Sequence, residues 1–92
     1  MTQPDNRIPM HHPRTAARVF SGEAVIITPA ENKVRMLNTV GSRVWELADG
    51  TRTVEEIAGV LAVEFDVDPA QARDSAAGFV DELAAKGLLA FA

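Results

Sequence analysis

Residues 49–61 read Asp-Gly-Thr-Arg-Thr-Val-Glu-Glu-Ile-Ala-Gly-Val-Leu, and this stretch marks where one helix stops and the next starts. Gly50 suits the left-handed conformation that closes a helix C-terminus, so the preceding segment ends there. Thr53 and Glu56 have the spacing of a capping box, in which the Thr53 oxygen accepts from the Glu56 amide and the Glu56 carboxylate reaches back. The helix that follows buries Val54, Ile57, Ala58, Leu61 and Phe65 along one stripe. Upstream, Asn38 caps a helix through Ala48, with Val40, Val44, Trp45 and Leu47 or Ala48 turned inward. Downstream, Asp68-Pro69-Ala70-Gln71 starts a third helix with an acidic cap and proline at the first helical position. Its apolar repeat, Ala72, Ala76, Phe79, Val80 and Leu83, runs to Lys86-Gly87, where Lys86 complements the carboxyl-end dipole and Gly87 takes the C′ position. Leu88, Leu89 and Phe91 form a short apolar tail that packs back.

Before Asn38 the pattern changes to short β-prone segments: Val19-Phe20, Ala24-Val25-Ile26-Ile27 and Val34-Arg35-Met36-Leu37. Ser21-Gly22-Glu23 and Pro29-Ala30-Glu31-Asn32-Lys33 separate them, both turn compositions at hairpin lengths. These segments predict a three-stranded antiparallel meander whose apolar face must be covered by the helices. The fold class is therefore α+β, in the order β-β-β-α-α-α. Residues 1–15 carry Pro4, Pro9 and Pro13 without apolar periodicity and read as a disordered, mobile arm, which leaves residues 16–92 as the folded domain.

Composition narrows the function. The chain has 92 residues, enough for one small domain, and its 47% apolar content folds rather than staying disordered. With no cysteine it holds no disulfide, thiolate nucleophile or cysteine metal site. No apolar run approaches the roughly 18 residues of a membrane span, and no secretory signal is visible, so a cytoplasmic protein without membrane association is expected. Charge is uneven: residues 1–38 carry five basic against three acidic side chains, residues 39–92 four against ten. An acidic helical half is a poor match to a polyanion, so no nucleic-acid partner is expected.

Catalytic and cofactor signatures are missing. His11 and His12 are adjacent, so they cannot share one face of a strand or helix, and they lie in the arm, away from any serine–acid pair. Glu56 is committed to its cap, which spoils Glu55-Glu56 as an acid–base pair. Gly22 and Gly50 stand alone and build no phosphate loop. Asp74-Ser75 resembles the modified serine motif of acyl carrier proteins, but Ser75 lies two turns inside a helix and three strands precede it. The chain reads as non-enzymatic, without cofactor or metal.

The run Leu37-Asn38-Thr39, Val44 to Ala58, Leu61, Phe65, Asp74, Phe79-Val80, Leu83 and Lys86-Gly87-Leu88-Leu89 resembles the PqqD family, the coenzyme PQQ synthesis protein D group and its relatives. The likeness covers about residues 17–91; each element is a common capping device, but their order and spacing are specific. Ser75 departs from the aliphatic residue frequent at that place. The resemblance implies a winged helix-turn-helix-like domain that acts as a peptide recognition element. Such an adaptor binds the leader of a ribosomally made precursor peptide and presents it to a modifying enzyme, often a radical SAM enzyme. The leader would add as a strand beside Lys33, Val34, Arg35, Met36 and Leu37 and lie against the helix over residues 69–86.

The residues themselves support an open edge, since only Lys33 and Arg35 discourage another strand from pairing there. Ala72, Ala76 and Ala77 leave a shallow trough beside the sheet, with Val80 or Leu83 as its floor and Arg73 among the peptide-binding candidates; Ala76, Val80 and Leu83 also fit an ordinary core. Met36 and Arg35 point to opposite faces, so one of them faces the core. Arg35 and Lys33 favour an acidic peptide. Two other readings stay open. A winged-helix DNA binder would need a basic third helix, where Arg73 and Lys86 stand against Asp74, Asp81 and Glu82. A structural subunit docking onto an enzyme would need no peptide. An open edge also pairs with its own copy, so a monomer or weak homodimer is expected.

Overall fold

The computed structural model describes residues 4–28 and 31–92. Its elements are β1 (Pro9–His11), β2 (Ala16–Phe20), β3 (Glu23–Thr28), β4 (Lys33–Met36), α1 (Thr39–Leu47), α2 (Val54–Glu64), α3 (Pro69–Ala85) and β5 (Leu89–Phe91). The meander over β2, β3 and β4 is antiparallel in that order. Ser21 and Gly22 both adopt positive φ, at 51° and 78°, which gives the β2–β3 hairpin the turn twist that matches its strands. In the β3–β4 turn Asn32 takes φ 52°, while Pro29 and Ala30 of the expected turn lie outside the described residues.

β3 alternates as a half-buried strand must. Ala24, Ile26 and Thr28 are buried beneath the helices, and Ile27 is exposed on the other face. The register pairs Ile26 with Arg35 and Ile27 with Val34, so Arg35 takes the helix-facing side and Val34 and Met36 the outer side. Ser42, fully buried in α1, ties the layers together. Its hydroxyl accepts from the Ala24 amide at 2.6 Å and donates to the Leu37 carbonyl at 3.2 Å.

Each helix starts and stops on the residues its sequence offers. Asn38 accepts from the Gly41 amide at 2.8 Å. Thr53 and Glu56 form both bonds of the capping box, at 3.1 and 2.9 Å. The Asp68 side chain accepts from Ala70 at 2.8 Å, ahead of Pro69 at the first helical position. Gly87 at φ 74° closes α3 in a Schellman motif, with Leu88 donating to the Leu83 carbonyl at 2.9 Å and Gly87 to that of Ala84 at 3.0 Å. The core unites Ala24 and Ile26 of the sheet with Val44 and Trp45 of α1, Val54, Ile57 and Leu61 of α2, and Ala72, Ala76, Val80 and Leu83 of α3. Ser75, half-buried, borders a small cavity of about 70 Å³ with Val40, Leu61 and Phe65.

The N-terminal segment departs from a free arm. β1 pairs antiparallel with β5, setting Pro9 against Phe91 and His11 against Leu89. The Arg7 and Asp5 carbonyls accept the Val54 and Glu55 amides at 2.9 and 3.1 Å, which satisfies two donors that every helix N-terminus leaves open. The Arg7 guanidinium holds Asp5 at 2.7 Å and Asp81 at 2.6 Å and lies 5.3 Å over the Phe91 ring. The His11 ring stacks on Trp45 at 3.8 Å, and its Nε2 hydrogen-bonds the Trp45 carbonyl at 2.6 Å. Prolines were compatible with this because Pro9 opens a short strand, where a missing N–H is tolerated. Residues 1–3 lie outside the described part.

The capping box carries a testable consequence. Thr53→Ala removes the acceptor for the Glu56 amide and is expected to cost about 1 kcal/mol in urea denaturation. The Thr53 amide holds the Glu56 carboxyl below its ordinary range, and the Arg43 guanidinium does the same for Glu64. A carboxyl lowered in the folded state stabilises above its unfolded pKa, about 4.3, and loses that contribution as pH falls through the folded value. Melting temperature should therefore hold from about pH 7 to 5 and decline below about 4, with a shallower decline in Glu56→Gln.

Candidate functional site

Among the described residues the sheet has two open margins, one on β2 and one on β4, and it is the β4 margin that borders the helices' groove. No strand among them pairs with β4 on the side away from β3, and β1 is bound to β5. Leu37 donates to the Ala24 carbonyl at 2.9 Å, and the register continues through Arg35 opposite Ile26 and Lys33 opposite Thr28. Backbone groups alternate sides along an antiparallel strand. Residues 33, 35 and 37 therefore turn their amides and carbonyls to β3, and Val34 and Met36 turn theirs outward. Two donors and two acceptors face away from the sheet.

Beside this margin lies a groove of about 470 Å³ between β4 and the C-terminal half of α3. Arg35, Met36, Leu37 and Asn38 form one wall, and Phe79, Glu82, Leu83 and Lys86 the other. Gly41 admits the α3 wall at close range, since a Cβ built on it would meet the Phe79 ring at 2.6 Å. Phe79 is thereby seated against α1, with its flank on the groove. Lys86 donates to Glu82 at 2.9 Å across one helical turn, so the two charges on this wall largely cancel.

The predicted site residues divide. Arg35, Met36, Leu37 and Leu83 line the groove together, and Lys33 and Val34 sit on the same strand, exposed. Ala72, Ala76 and Val80 are fully buried in the core, where the small side chains admit α2 rather than leave a trough. Arg73 and Ala77 face a different depression, beside Asp5, Val54, Glu55 and Ala58, where Arg73 holds Glu55 at 2.9 Å. The groove wall is thus the stripe 79, 82, 83 and 86, displaced around the helix from 72, 76 and 80. Asn38, Phe79, Glu82 and Lys86 went unnoticed as lining residues. Their signal was the spacing of Phe79, Glu82, Leu83 and Lys86 at three, four and seven residues, a coherent helix face next to the strand.

A meander whose β4 margin is bare, set beside the last of three helices, defines a small winged-helix-like α+β domain with an edge-and-groove surface. The chain belongs to the PqqD family: the family described as Coenzyme PQQ synthesis protein D (PqqD) matches residues 23–89, from β3 into β5. Among solved structures, TbiB1 in complex with the TbiA(beta) leader peptide superposes with a TM-score of 0.79 at 26% identity, over 87% of this chain and 93% of that one. Lasso peptide synthetase B1, complexed with the leader peptide, gives a TM-score of 0.81 at 16% identity, over 90% of this chain and 98% of that one, a likeness of fold. No curated protein matches the sequence. No helix among the described residues is long and apolar enough to cross a membrane.

Proposed function

We propose that this chain is a non-catalytic adaptor that binds the leader of a ribosomally synthesised precursor peptide by strand addition to β4 and presents it to a modifying enzyme, a radical SAM enzyme being the class the family resemblance suggests. The observation that carries this reading is the unpaired outer margin of β4 beside the groove. The similarity to TbiB1, solved with its leader peptide, supports it. The adaptor would work in the cytoplasm, where its precursor is made.

The energetics are consistent with a modest but usable affinity. Val34 and Met36 offer four outward backbone groups, worth roughly 4 kcal/mol at about 1 kcal/mol each. Micromolar binding requires about 8 kcal/mol. The groove must therefore supply roughly another 4 kcal/mol, which corresponds to about 160 Å² of apolar surface, and more to offset the ordering of the peptide. The flanks of Leu37, Phe79 and Leu83 are the apolar surfaces that border it. A DNA-binding role fits less well, because both cations of α3 and its cap, Arg73 and Lys86, are already engaged by Glu55 and Glu82.

The test is an NMR titration with the synthetic leader of the precursor encoded beside this gene. Amide shifts are expected over residues 33–38 and 79–86. Shifts confined to residues 4–15, or none at millimolar peptide, would end this reading.

A further inference from the structure

The groove holds one group that the fold leaves incomplete. Arg35 Nη1 is buried and has no hydrogen-bond partner among the described residues. Arg7, Arg43, Arg52 and Arg73 each hold a carboxylate at 2.6 to 3.0 Å. Arg14 and Arg18, which also have no ion pair among the described residues, are exposed to solvent. Arg35 is neither paired nor exposed: it is half-buried on the helix-facing side of β4, opposite the buried Ile26. Glu82, the carboxylate that lines the same groove, is bound to Lys86 and forms no ion pair with Arg35. The Nη1 so placed has lost water without gaining an acceptor, and a carboxylate entering beside this half-buried guanidinium would be partly shielded from the solvent that weakens surface ion pairs.

We propose that the groove selects an extended peptide with an Asp or Glu on the residue opposite Arg35 and an aliphatic or aromatic residue two positions along, opposite Leu37. This rests on the reading of β4 as a site of strand addition and narrows the peptide class it takes. The spacing follows from the pleat. Residues 33, 35 and 37 share the helix-facing side, so alternate residues of an added strand meet them in turn. The carboxylate completes the Arg35 fork, and the apolar side chain rests on Leu37, Phe79 and Leu83. Opposite the exposed Lys33 a charge is screened and contributes little selectivity. Opposite Val34 and Met36 the outer face is open, so the intervening residues are weakly restricted.

The test starts from a phage-displayed library of random twelve-residue peptides selected on the intact protein, followed by synthesis of the strongest binder. Enriched peptides are expected to share an acidic residue two positions from a large apolar one, in a single fixed order. Replacing that acid by its amide should weaken binding about tenfold to a hundredfold. Arg35→Met should weaken the parent peptide by the same factor and leave the amide peptide unchanged, and Arg35→Glu should recover binding of the peptide with Lys at that position. The peptide-side substitutions leave the protein intact, so the result does not depend on how the variants fold. Binders that shift the Val34 and Met36 amides with no acid preference, or a cycle without coupling, overturn the Arg35 assignment and leave strand addition standing. Binders that leave those amides unmoved overturn both.

Discussion

Met36→Pro is expected to weaken leader-peptide binding by about 30-fold to 150-fold, while thermal melting stays close to that of the parent protein. The asymmetry follows from which way the Met36 amide points. Leu37 bonds Ala24 at 2.9 Å and Arg35 pairs with Ile26, so the inward ladder of β4 rests on residues 33, 35 and 37. The Met36 amide lies between them and faces outward. Proline at an edge position removes no bond to β3, and Arg35 before it is already extended, the conformation proline requires of its predecessor. An incoming strand, by contrast, loses a donor and meets the ring where its own backbone should approach. Two to three of the four outward bonds fail, a loss of about 2–3 kcal/mol. Ile26→Pro is the control. Ile26 pairs with both Ala17 and Arg35 in the central strand, and proline there should unfold the domain. Fluorescence anisotropy with labelled leader and circular dichroism melting read both quantities. A folded Met36→Pro protein that binds leader at full strength would remove β4 as the docking strand.

How far the residues alone reveal this site depends on what kind of signal each part sends. Thr53-Val54-Glu55-Glu56, Asp68-Pro69 and Lys86-Gly87 are local devices, each completed by atoms within a few residues, and all three act where their spacing predicts. The β4 margin was legible because the last strand of a three-stranded meander is an edge unless another strand joins it, and the downstream strand β5 pairs with β1 instead. β1 was not legible. Its bonds run to β5 and from the Pro9 carbonyl to the Gly50 amide, and the segment before it is held through the Arg7 and Asp5 carbonyls to Val54 and Glu55, backbone to backbone, which no side-chain pattern announces. Helix α3 shows a third case. Ala72, Ala76 and Ala77 are small, and small residues serve equally to hollow a groove or to bring a second helix close. Contact with α2 decided it for Ala72 and Ala76, and the open wall passed to Phe79, Glu82, Leu83 and Lys86. Ser42 lies outside the apolar stripe that the sequence offers for its helix, yet it spans the Ala24 amide and the Leu37 carbonyl. Such a residue becomes predictable only once the strand that needs its hydroxyl has been placed.

Trp45→Ala should be the most destabilising single substitution in the helices, at about 3–5 kcal/mol. In a domain of this size that lowers the melting temperature by roughly 15–30 °C. Trp45 is 2% exposed and serves two neighbours at once. Its indole belongs to the buried core, and one face of it carries the His11 ring at 3.8 Å, inclined by 7°. Truncation leaves a void that α1 cannot fill, because the Ser42 bonds hold the helix to the sheet. It also removes the surface on which β1 is stacked. Amide exchange should therefore quicken at Met10 and His11 and at Val54 and Glu55, whose donors depend on the carbonyls of Arg7 and Asp5. His11→Ala separates the two effects: it deletes the stack and the Nε2 bond to the Trp45 carbonyl, worth about 1 kcal/mol each, and leaves the indole in place. Its exchange should quicken in the same N-terminal amides while α1 remains protected. Well below its melting point, Trp45→Ala should still bind leader within a few-fold of the parent protein, since Trp45 does not line the β4 groove. If His11→Ala instead loosened the whole core as much as Trp45→Ala does, β1 would be part of the folding unit rather than a clasp laid over it.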